Sequence, residues 1–113
     1  MDCGVPVFGA LADLSRAEIL TDMPDAVDGK TVDQWKNYLR QKGFVVTQFG
    51  PDDQYPLPCA HLVVGAHWVY QAKDSGIHDP SPVFQFTPPK LININEHYGG
   101  RILTIAVDPV KGF

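Results

Sequence analysis

Apolar positions recur at a helical period over the first forty residues and at a strand period from Phe44 onward. Val7, Phe8, Leu11 and Leu14 share one helical face, and Pro6, which has no N–H to give, fits only the first turn, so a helix is expected to begin at or just after Cys3. "SRAE", Ser15 to Glu18, has the form of a capping box and opens a short helix through Ile19 and Leu20. "DMPDAVDGK" carries the turn formers of a surface loop. In "TVDQWKNYLRQKG", Thr31 stands three residues before Gln34. Val32, Trp35 and Leu39 share a face, basic residues occupy the last turn and Gly43 follows, which together predict a capped helix with a glycine stop.

The strand-like runs are "FVVTQF", "AHLVVG", "HWVYQA", "GIHD", "VFQF" and "RILTIAV", rich in β-branched and aromatic residues. "GPDDQYPLP" and "TPPKLININEHYGG" read as loops, the second with room for a helical turn. Helices gathered ahead of a mostly antiparallel sheet predict an α+β layer fold. "KDSG" is a hairpin turn signal, and folding the chain about position 74 brings His67 to within a few residues of Asp79. His61 would instead lie opposite the residues around Pro88, so the hairpin favours His67 as the partner of Asp79. Pro80 ends the strand and leaves Asp79 at an edge.

The 113 residues fit one domain, residues 1–113, and 44% hydrophobic composition suffices for one core. A net charge of −4, with no Lys/Arg cluster, argues against nucleic acid as a partner. No apolar run approaches the ~20 residues of a membrane span, and the N-terminus lacks the layout of a signal peptide. The expectation is a cytoplasmic chain without membrane insertion. Cys3 and Cys59 are too few for a disulfide scaffold. Cys59, His61, His67 and His78 lie close in sequence but lack the paired spacing of a zinc site, and "GVPVFG" follows no strand and has the wrong spacing for a phosphate loop. Neither a metal nor a cofactor is expected.

What remains is thiol chemistry. A cysteine attacks as its thiolate, and the unpaired N–H groups of a helix N-terminus favour that form, so the position of Cys3 is activating. Such a thiol needs a base, and the base needs a group to orient it, roles that His67 and Asp79 could fill. Cys59 is expected in the core.

"DCG" at a helix start, "LRQKGF" before a strand, "PLPCAHLVVGAHWVY", "IHDPSP" and "GRILTIAV" together resemble the papain-like cysteine peptidases that process double-glycine leaders, the peptidase domains of bacteriocin-exporting transporters. The resemblance runs from about Asp2 to Val107. It implies a papain-like fold and a peptide or protein substrate, with Cys3 as nucleophile, His67 as general base and acid, and Asp79 as orienter. That family places a glutamine a few residues before its cysteine to stabilise the oxyanion. Here only Met1 and Asp2 precede Cys3, leaving Gln48 and Gln54 as candidates to join the Cys3 N–H. Two alternatives stand beside hydrolysis: a catalytically silent module binding a peptide or partner protein, and another thiol acyl transfer such as cell-wall amidase, deamidase or transglutaminase-like action.

Overall fold

A computed structural model describes residues 4–64, 66–80 and 94–109. Four α-helices, one 3-10 turn and five strands follow one another along them: α1 (Gly4–Ala12), α2 (Arg16–Asp22), the 3-10 turn (Pro24–Asp28), α3 (Val32–Gln41), β1 (Phe44–Phe49), β2 (Cys59–Val63), β3 (His67–Gln71), β4 (Ile77–His78), α4 (Ile94–Tyr98) and β5 (Arg101–Pro109). The fold is α+β, as the change of period at Phe44 predicts. The strand expected at "VFQF", like Cys3, lies outside the described residues.

Local chemistry explains the helix limits. Pro6 sits in the first turn of α1, and the helix closes where Asp13 turns left-handed (φ 56°) and Leu14 N–H donates back to Gly9 C=O at 2.9 Å. Ser15 Oγ accepts from Glu18 N–H to cap α2. For α3 the capping box is complete: Thr31 Oγ1 accepts from Gln34 N–H at 3.2 Å while Gln34 Oε1 accepts from Thr31 N–H at 2.8 Å. Gly43, at φ 93°, takes the left-handed conformation that stops the helix. The segment read as an open loop holds the 3-10 turn, with Pro24 at its first position, where a missing N–H costs nothing.

The strands form one sheet in the order β1-β5-β2-β3-β4, and every pairing is antiparallel. Alternation along β2 and β3 separates two faces. Ala60, Leu62, Trp68 and Tyr70 point to the side covered by α1, α2 and α3, where Phe8 stacks on Trp35 at 4.6 Å and meets Trp68 edge-on at 4.8 Å. Val63 and Val69 point to the other side, where they pack with Ile77 and with Ile94 of α4. His61, His67 and Gln71 alternate onto this second face. The sheet is thereby covered on both sides around β2 and β3, and its polar residues there need partners.

Candidate active site

The β3–β4 hairpin positions the first pair. Ala72 N–H donates to Gly76 C=O, Ser75 adopts φ 72°, and the register sets Tyr70 opposite His78 and Gln71 opposite Ile77. Continued by one residue, that register places Asp79 beside Val69, so His67 becomes its diagonal neighbour on the same face, within reach of a long side chain. The side chains meet there: His67 Nε2 lies 2.7 Å from Asp79 Oδ1. About a quarter to a third of each side chain remains exposed, 26% for His67 and 31% for Asp79. The second carboxylate oxygen, Oδ2, accepts from the Tyr98 hydroxyl at 2.7 Å. Burial, followed by the bond to Asp79 and its charge, raises the Tyr98 hydroxyl above the ordinary phenol range, so it serves as a donor.

The amino end of α1 comes up to the start of the same strand on the Trp68 face of the sheet, whereas the His67 ring lies on the other face. Gly4, Ala66 and Trp68 line one cavity of about 70 Å³ together with Gly29 and Trp35. Only glycine fits at position 4, because a Cβ there would lie 2.7 Å from the Trp35 ring. Cys3, one bond earlier in the chain, lies outside the described residues.

His61 belongs elsewhere. It pairs with Val69 rather than with residues around Pro88, which lies outside the described residues, and it is fully buried. Its Nδ1 is 2.6 Å from Thr104 Oγ1 and its Nε2 is 2.8 Å from Gln71 Oε1, with Cys59 Sγ at 3.3 Å. The partners fix the tautomer. Arg101 donates to Thr104 Oγ1 at 3.1 Å, the Thr104 hydroxyl donates a hydrogen bond to Nδ1, and Nε2–H donates to Gln71 Oε1. Gln71 Nε2 then donates to Ser75 C=O in the hairpin turn. One directional chain of bonds therefore crosses β5, β2 and β3.

Arg101 anchors the far end of this chain. Its guanidinium donates to the carbonyls of Gly50, Pro51 and Asp53 and lies 4.5 Å from the centre of the Tyr55 ring, which fastens the β1–β2 loop over the sheet. Burial lowers the His61 pKa to about 4, with the Arg101 charge pushing the same way against the opposing Gln71 bond. Burial pushes the Cys59 thiol up to about 12. This thiol and this imidazole touch, yet both are held neutral, so they form no nucleophilic pair.

The two oxyanion candidates fare differently from expectation. Gln48 is on β1, separated from β3 by β5 and β2, and its side chain accepts from Lys36 Nζ at 3.0 Å. It cannot serve a reaction at His67, because three strand spacings of about 4.8 Å exceed a side chain's reach. Gln54 is exposed on the β1–β2 loop. Among the described residues no group of three or more His, Cys, Asp or Glu is arranged to hold a metal ion, and no helix is long and apolar enough to cross a membrane.

Sequence reasoning missed Tyr98 and Arg101. The signal for Tyr98 was the pair of glycines after it: Gly99 and Gly100 take φ 79° and 142°, and Gly100 C=O accepts from Val64 N–H, which turns α4 directly into β5. No protein-family model, curated protein or solved structure matches the chain.

Proposed function

We propose that the protein is a papain-like thiol hydrolase acting on an amide bond of a peptide or protein, with Cys3 as nucleophile, His67 as base and Asp79 as orienter. The observation that carries the proposal is the 2.7 Å pairing of His67 Nε2 with Asp79 Oδ1; the amino end of α1 reaches the start of the same strand from the Trp68 side of the sheet. Nε2 is committed to the carboxylate, so Nδ1 is the atom that exchanges a proton with sulfur. The thiolate attacks the carbonyl carbon, forming the C–S bond, while Nδ1 holds the thiol proton. Nδ1 then gives that proton to the leaving amine as the C–N bond breaks. Water attacks the thioester next, losing a proton to Nδ1, and the acid leaves as the thiol re-forms. Asp79 fixes the tautomer and stabilises the imidazolium in both halves.

Position supports activation of the sulfur. Cys3 immediately precedes a nine-residue helix, whose amino end favours a negative charge. Cys59 provides an internal contrast, since it is buried and its thiol is pushed up to about 12. A peptide-binding module without turnover is the second reading, favoured by the placement of Gln48 on the far edge of the sheet. Fluorogenic peptides tested against wild type and Cys3→Ala separate the two. Cleavage lost in Cys3→Ala supports the hydrolase. Peptide binding with no cleavage by wild type refutes it in favour of the module.

A further inference from the structure

We propose that Tyr98 is a positioning residue for the His67–Asp79 pair, its hydroxyl holding the carboxylate in the orientation that aims Oδ1 at the imidazole. The inference rests on the hydrolase assignment for its consequence at Cys3, but its geometry stands by itself. Asp79 has its two oxygens divided between two donors, His67 Nε2 on Oδ1 and Tyr98 Oη on Oδ2, each at 2.7 Å. A carboxylate held at only one oxygen can swing about its side-chain torsions; held at both, its plane is set.

The phenol is itself well placed to do this. Ile94 anchors α4 in the apolar cluster with Val63, Val69 and Ile77, and Tyr98 packs against that cluster at the other end of the helix. The His97 ring lies edge-on to the Tyr98 ring at 4.7 Å, and the His67 ring is 6.3 Å from it. The two glycines that follow Tyr98 carry the chain into β5, whose first residue, Arg101, is tied to the β1–β2 loop. The hydroxyl is thus presented to Asp79 from an element fixed at both ends. Tyr98 touches neither sulfur nor the scissile bond in this scheme; it acts through Asp79.

The test compares wild type, Tyr98→Phe, Asp79→Asn and the double variant. Cys3 alkylation by iodoacetamide at pH 7 is followed by mass spectrometry, and the His67 Nε2–H resonance by nitrogen-15 NMR. Loss of a hydrogen bond to a charged group should slow Cys3 alkylation about tenfold in Tyr98→Phe and weaken or broaden the His67 Nε2–H signal. In the Asp79→Asn background the same change should matter less than about twofold, because the partner through which Tyr98 acts is gone. Replacing Tyr98 with 3-fluorotyrosine keeps the ring while altering donor strength, and should move the His67 Nε2–H resonance even if Tyr98→Phe folds poorly. Unchanged alkylation and an unchanged resonance in Tyr98→Phe overturn the proposal, as does an equal slowing in both backgrounds. Wild-type Cys3 reacting no faster than an ordinary thiol overturns the hydrolase assignment instead, and the resonance then decides the hold of Tyr98 on the pair.

Discussion

Acid should destabilise the fold through His61. Its ring is fully buried, and in the neutral form it donates from Nε2 to Gln71 Oε1 and accepts at Nδ1 from the Thr104 hydroxyl. Protonation would turn Nδ1 into a donor, displace the hydroxyl proton of Thr104 from it, and add a second positive charge to a buried site beside the Arg101 guanidinium. Burial is the largest cause of the fall in pKa from 6.5 to about 4. Because the folded value is the lower one, the unfolded chain binds the proton first. Stability is therefore complete above about pH 6.5 and is lost as pH falls toward 4. At about 1.4 kcal/mol per pH unit, the loss over that window is about 3 kcal/mol, a large share of the roughly 5–15 kcal/mol that holds a domain together. Urea unfolding at pH 7, 6, 5 and 4, in wild type and in His61→Gln, isolates the contribution, because carboxylates titrate alike in both. The difference in stability between the two proteins should shrink by about 3 kcal/mol on going from pH 7 to pH 4. A difference that stays constant across the series would refute the assignment of a neutral, acid-sensitive His61.

Three further substitutions test the packing that positions the site. Gly4→Ala places a Cβ 2.7 Å from the Trp35 ring and should cost about 1–3 kcal/mol by overpacking, read as a lowered urea midpoint with an unchanged slope. Phe8→Ala removes the ring between Trp35 and Trp68, and a loss of about 3–5 kcal/mol is expected in the same assay; a loss under about 1 kcal/mol would contradict the placement of Phe8 at the centre of the core. Thr31→Ala breaks the side-chain half of the α3 capping box and should cost about 1 kcal/mol, visible as a lower melting temperature with the far-ultraviolet dichroism of the native state retained.

The elements that sequence reveals here are those decided locally. Thr31 and Gln34 cap α3 from three residues apart, and Gly43 ends it through its own backbone conformation, so the signal and its cause lie within one turn. The His67–Asp79 pair was legible for a similar reason: twelve residues and one tight hairpin separate them, and the register follows from the turn. Tyr98 and Arg101 were not. Tyr98 reaches Asp79 across 19 residues from what reads as a loop. Arg101 opens the strand read at "RILTIAV", but it is buried and held by three carbonyls from residues 48 to 51 positions away. The choice between Gln48 and Gln54 was open in the sequence, and Gln48 drops out because sheet order, which puts β5 between β1 and β2, is not written in the order of strands along the chain.

The proposed activity requires that an imidazole fixed by Asp79 make the thiol of Cys3 reactive. Limited iodoacetamide labelling at pH 6.5, with Cys3 and Cys59 resolved by mass spectrometry in wild type, His67→Ala and Asp79→Asn, tests it most directly. Rapid wild-type labelling confined to Cys3, slowed at least about tenfold in both variants, is the predicted result. Labelling of Cys3 at the rate of a free thiol, indifferent to His67 and Asp79, would contradict it.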